Sequence, residues 1–109
     1  MKQKIKESDI QRSILDYLEI LEKQGRCYCF RSGAGAMKLE NGRYFKTGKK
    51  GCPDITCVAN GKFIGLECKT PTGKLSEAQN EAKRAITKAG GIYNVVTSID
   101  EVVLIMRNI

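Results

Sequence analysis

Asn60-Gly61 stands between two runs rich in β-forming residues, Asp54 to Ala59 and Lys62 to Lys69. A two-residue turn of that composition tolerates the positive φ that a type I′ hairpin requires, and its twist matches that of the flanking strands. The two runs are therefore expected to be antiparallel partners, and the rest of the chain has to be built around them. Side chains alternate along a strand, so Glu67 and Lys69 share one face while Cys68 takes the other. With the turn at Asn60-Gly61, position 54 falls opposite about position 67. Asp54 and Glu67 then come within reach of a single cation.

The remaining segments arrange themselves as one domain over residues 1–109, since a chain of that length supports one core. From Ser8 to Gln24, Ile10, Ile14, Leu18 and Leu21 fall on one face, which predicts an amphipathic helix. Ser8 and Gln11 have capping-box spacing, which would leave Glu7 just before the helix, and Gly25 stops it. Cys27 to Arg31 reads as a strand with Cys27 and Cys29 on one face. Arg31 to Cys52 is different in kind: five glycines and six basic residues against one acid, Glu40. It reads as a basic loop, with a short strand expected at Arg43 to Phe45. Ser76 and Gln79 form a second capping box, opening a helix through Ala78, Ala82, Ala85, Ile86 and Ala89 that ends at Gly90-Gly91. Ile92 to Val96 is a strand. Ser98 and Glu101 form a third box ahead of Val102 to Met106, read as a short helix although the same apolar run also fits a buried strand.

Several chemistries are excluded by composition. Histidine is absent, which removes Ser-His triads, His-metal nucleases and His-containing zinc sites, so carboxylates, lysine and backbone must carry any catalysis. Five cysteines without a CxxC pair read as reduced, partly buried thiols rather than as a disulfide framework or a thiolate zinc site. The longest apolar run is Val102 to Met106, and nothing apolar follows Met-Lys-Gln-Lys-Ile-Lys, so neither a membrane span nor a signal peptide is expected. The expected setting is the cytoplasm. Gly33-Ala-Gly35 lacks the third glycine of a dinucleotide fingerprint, Lys38 standing in its place. Gly91-Ile-Tyr93 has no matching Tyr-Ile-Gly later in the chain and carries no weight here.

The formal net charge of +7 is concentrated in the basic loop, where Arg31, Lys38, Arg43, Lys46, Lys49 and Lys50 fit a phosphate-gripping segment. Tyr44 and Phe45 suit base stacking and packing equally. Two carboxylates with a backbone carbonyl suit Mg²⁺, which keeps several waters and can activate one, with Lys69 beside it to hold that water or offset charge on a phosphate.

The string Gly51-Cys-Pro-Asp54, strand, Asn60-Gly61, strand, Glu67-Cys-Lys69-Thr, Gly73-Lys-Leu-Ser-Glu-Ala-Gln79 resembles the PD-(D/E)xK nuclease superfamily and, within it, the VRR-NUC (virus-type replication-repair nuclease) family in its minimal stand-alone form. The resemblance runs from Glu7-Ser-Asp-Ile-Gln11 through Gly90-Gly91. It implies an α/β restriction-endonuclease-like core, α-β-β-β-α-β with a short C-terminal helix, and a Mg²⁺- or Mn²⁺-dependent endonuclease acting on DNA. It also implies Asp54 and Glu67 as metal-binding carboxylates, Cys68 as a main-chain carbonyl ligand and Lys69 as the catalytic lysine. Glu7 corresponds to the first-helix acid and Gln79 to the second-helix glutamine. Branched DNA such as a four-way (Holliday) junction, cut by a homodimer in DNA repair, follows as the expected substrate, since symmetric dimers set two sites on two strands. Val102 to Ile109 reads equally as a dimer surface and as the central buried element of the domain. The rival expectation is a basic DNA-binding module whose acids form only surface ion pairs.

Overall fold

The computed structural model describes residues 6–109; Met1 to Ile5, on which the expectation of no leader partly rests, lie outside them. In chain order the elements are α1 (Glu7–Lys23), β1 (Tyr28–Arg31), β2 (Gly35–Lys38), β3 (Tyr44–Thr47), β4 (Ile55–Ala59), β5 (Lys62–Cys68), α2 (Glu77–Lys88), β6 (Ile92–Val96) and α3 (Ile99–Arg107). Four strands form one sheet in the order β1-β4-β5-β6, with β5 and β6 parallel across the α2 crossover and the other pairs antiparallel.

The Asn-Gly turn behaves as its chemistry requires: Asn60 has φ 52° and Gly61 φ 76°, and the register runs from Ala59 opposite Lys62 to Ile55 opposite Leu66. One sheet face is closed by α1 and α3. Ile10, Ile14, Leu18 and Leu21 from α1 and Val102 and Met106 from α3 are buried in one cluster with Ile55, Cys57, Ile64, Leu66, Cys68 and Val96. Each large aliphatic side chain buried there contributes roughly 1.5–3 kcal/mol, so this layer holds the strands that carry the site.

Several local expectations need correction. Helix α1 begins at Glu7, with Lys6 as its cap residue and no side-chain cap, so the Ser8-Gln11 box does not form. The Lys6 carbonyl already accepts from Asp9 and Ile10 N–H, which starts the helix early and brings Glu7 into its first turn. At the other end the glycine signal holds: Gly25 (φ 74°) donates to Glu22 O and Arg26 to Leu21 O, a Schellman closure. The strand expected at Arg43 to Phe45 forms as β3, but the rest of Arg31 to Cys52 is not plain loop: β3 pairs with β2 in a second hairpin, exposed along both strands. The third box is half formed: Ser98 Oγ accepts from Glu101 N–H, while the Glu101 carboxylate turns back to Thr97. Val102 to Met106 is helical, with Val102 and Met106 in the core and Leu104 exposed, so α3 turns most of its apolar stripe to the domain's own core. No helix among the described residues is long and apolar enough to cross a membrane.

Candidate active site

The site forms where the β4–β5 hairpin runs out of hydrogen-bonding partners. One step beyond the Ile55–Leu66 pair, where the ladder ends, the register sets Asp54 opposite Glu67. The N–H and C=O of a strand residue face the same neighbour, so both groups of Cys68 turn toward the segment ahead of β4, past the last pair of the ladder. Asp54 Oδ2 takes the Cys68 N–H at 2.9 Å, and the Cys68 carbonyl is left with no ladder donor opposite it. Pro53 lies on Gly65, where a Cβ would come within 2.4 Å of its ring. The bare glycine is what lets the chain enter β4 at the angle that aims Asp54.

Glu67 is 2% exposed. Its Oε2 accepts from Gln79 Nε2 at 2.9 Å, and Lys69 Nζ stands 3.9 Å from the same oxygen, while Oε1 is buried with no partner. Burial and the facing Asp54 carboxylate push Glu67 up to about 8, and Lys69 pulls it the other way. Gln79 serves two ends at once: its Oε1 accepts from Ser76 N–H at 2.9 Å, closing the capping box, and its amide nitrogen holds Glu67. The box thus fixes the rotamer that reaches the carboxylate. Gly51 (φ 83°) lets the incoming chain pass the first turn of α2, since a Cβ there would sit 2.2 Å from the Ala78 carbonyl.

Glu7 joins through Lys69, 3.9 Å from its ammonium, and is half exposed. Among the described residues no three acidic or thiol side chains are gathered as a ready metal cage. The candidate set is two carboxylates and a main-chain carbonyl, which Glu7 meets through Lys69. Hard oxygens, an orphaned buried carboxylate oxygen and two facing carboxyl groups fit a small divalent cation that retains water, Mg²⁺ or Mn²⁺.

Tyr93 is the residue that sequence reasoning missed. It lies on β6 opposite Gly65, on the same face as Glu67; it is buried, and its hydroxyl has no partner. Burial and then the negative charge of Glu67 push its phenol upward. The signal was an isolated tyrosine in an apolar strand, beside a motif that led elsewhere.

The six basic residues are brought together loosely. Arg31 ends β1, and the others lie on the exposed hairpin and its return to β4, with Lys38 and Lys46 on the face of Tyr44 and Phe45 beside Met37 on the other. The hairpin leaves the sheet after β1 and returns just before Asp54, so it springs from the edge that carries the site. The thiols of Cys29 and Cys57, paired across β1 and β4, are pushed up to about 12, chiefly by burial, and belong to the packing under α1.

No family model and no curated protein matches the sequence. Among solved structures, one described as a VRR_NUC domain matches with a TM-score of 0.65 and 19% identity, covering 93% of this chain and 94% of that one. The helix-flanked sheet that presents Asp54 and Glu67 is a restriction-endonuclease-like core, and over nearly its whole length the chain has the VRR-NUC fold.

Proposed function

We propose that this single domain is a divalent-metal-dependent endonuclease that hydrolyses phosphodiester bonds in branched DNA, four-way junctions included, as a homodimer. The observation that carries the proposal is Glu67: a carboxylate buried to 2% exposure, facing Asp54, with one oxygen unpartnered and the other steered by Gln79. An ionised carboxylate so buried is costly unless a cation joins it. Asp54, Glu67 and the Cys68 carbonyl would hold Mg²⁺ or Mn²⁺. When bound, the ion supplies positive charge that polarises a phosphate oxygen and acidifies water.

The protein groups around it have separable tasks. Gln79 fixes the Glu67 carboxylate, and the Cys68 N–H fixes Asp54, so neither has to reorient when substrate arrives. Lys69, tied between Glu67 and Glu7, presents an ammonium that can orient a water or receive negative charge from the phosphate. The basic hairpin supplies phosphate contacts beside the site, and a domain this small has little surface left for reading base sequence.

Incubation with single-stranded, duplex, flap and four-way DNA in Mg²⁺, Mn²⁺ or chelator tests the proposal. Cleavage only with metal, strongest on branched DNA, is expected. DNA held in chelator but never cut with either metal would instead mark a binding module. Light scattering at micromolar concentration tests the dimer: a monomer mass, with junctions still cut symmetrically, would refute it.

A further inference from the structure

The face of the sheet that carries Asp54 and Glu67 is only partly covered. Register places Tyr28 beside Val58 and Phe63, Phe30 beside Thr56 and Gly65, and Ser32 beside Asp54 and Glu67, all on that one face. Helix α2 reaches the Glu67 end through Gln79, but Tyr28 is 64% and Phe30 46% exposed, with Val58 and Phe63 open alongside them. The two rings stand 6.1 Å apart at 57° and lie in a line that ends at the carboxylates. At about 3.3 Å per residue, Phe30 lies roughly 7 Å and Tyr28 roughly 13 Å along β1 from Ser32. Ser32 donates its N–H to the Asp54 carbonyl at 2.8 Å, which anchors that end of the line at the site.

We propose that Tyr28 and Phe30 form a stacking platform for unpaired bases of a DNA strand whose backbone continues to the carboxylate pair. Aromatic rings in single file accept bases of any identity, because every base has a π-face. Charge favours this occupant. The chain carries +7, and along this face the strand positions bear no carboxylate apart from Asp54 and Glu67. The basic hairpin leaves from the far end of the same strand, so a strand lying on the rings passes the site and meets lysines beyond it. The placement relative to the cut rests on the nuclease proposal above; the contact between rings and bases does not.

Fluorescence anisotropy of the full chain in chelator, with labelled oligothymidylate and with a duplex of equal length, separates these. Tyr28→Ala with Phe30→Ala should weaken oligothymidylate binding about ten- to a hundredfold while changing duplex binding little. Tyr28→Phe, which keeps the ring, should bind as the parent does. Replacing bases by abasic sites while keeping the phosphates should reproduce the loss in the parent and add nothing to it in the double variant. Equal loss on single strand and duplex, or no loss, overturns the platform. So does light scattering that finds the parent dimeric and the folded double variant monomeric, since a second copy would then cover the rings. Ring-dependent binding in a protein that cuts nothing with Mg²⁺ or Mn²⁺ would retain the platform and overturn only the nuclease proposal.

Discussion

The molecule contains two antiparallel hairpins of similar size that are held by different means. In β4–β5, Ile55, Cys57, Ile64, Leu66 and Cys68 are buried against α1 and α3, and the register is locked because a slip of one residue would turn all of them to the other face. In β2–β3 every residue is exposed. That hairpin has only its ladder and its turn, with Leu39 N–H donating to Arg43 O and Gly42 N–H to Leu39 O. A lone two-stranded ribbon is marginal in water. The first hairpin can therefore hold carboxylates to a fixed separation, whereas the second can supply charge but not geometry.

The contrast is broken most severely at the end of the buried hairpin. Asp54→Asn, Glu67→Gln and Lys69→Ala should each lower single-turnover cleavage with Mn²⁺ by at least about a hundredfold, with far-UV circular dichroism unchanged. Full activity in purified, folded Lys69→Ala would remove that residue from the chemistry. On the exposed hairpin the effect should be smaller and of another kind. Lys46, Lys49 and Lys50 replaced together by Ala should leave the melting temperature unchanged and reduce the slope of log affinity against log salt by about 2 to 3. An unchanged slope would make those lysines a solvated face.

What could be read in advance divides along the same line. Asn60-Gly61 and the alternation of Glu67, Cys68 and Lys69 were legible because a buried face imposes a period of two on the sequence. Ser76 and Gln79 were legible as a cap, and the second bond of Gln79, to Glu67, lay within what its amide can do. Of the second hairpin only β3 was legible, near Tyr44 and Phe45; β2 left no such trace, since an exposed strand needs no apolar period, and Gly35 and Lys38 read as loop. The start of α1 is misread for a different reason: Ser8 offers a good capping side chain, whereas the backbone at Lys6 begins the helix without one. Tyr28 and Phe30 were hidden for the opposite reason: Cys27 and Cys29 between them made both faces apolar, and alternation could not say which face stayed open.

Packing offers a smaller contrast. Gly65→Ala drives a methyl into the Pro53 ring on the site face, an overpacking of the kind that costs about 1–3 kcal/mol. In a domain this size that lowers the melting temperature by several degrees and moves Asp54 with Pro53. Gly35→Ala in the exposed hairpin meets only Thr47 Oγ1, at 3.3 Å, and should stay within about 0.5 kcal/mol of the parent. Equal melting temperatures for the two variants would mean that Pro53 yields freely, and that the approach of Asp54 is not held by packing.

The last contrast is in pH dependence, and it distinguishes the hairpins without touching activity. In chelated protein Glu67 is pushed from its ordinary 4.5 up to about 8, so between those values the folded state holds a proton that the unfolded state has released. Stability then falls as pH rises through that window. The absence of histidine leaves little else to titrate there, and the buried thiols of Cys29, Cys57 and Cys68 lie higher, at about 12. Melting temperature followed from pH 5 to 8 in chelator should therefore decline, and Mn²⁺ should restore it most at the alkaline end, where the carboxylate is free to take the ion. Glu67→Gln should flatten the decline, because its neutral amide has no proton to lose, whereas the triple lysine variant of the exposed hairpin should keep it. A parent that gains stability over this range in chelator, or a slope in the Glu67→Gln variant equal to the parent's, would show that the burial of Glu67 beside Asp54 is not what the alkaline side of the curve reports.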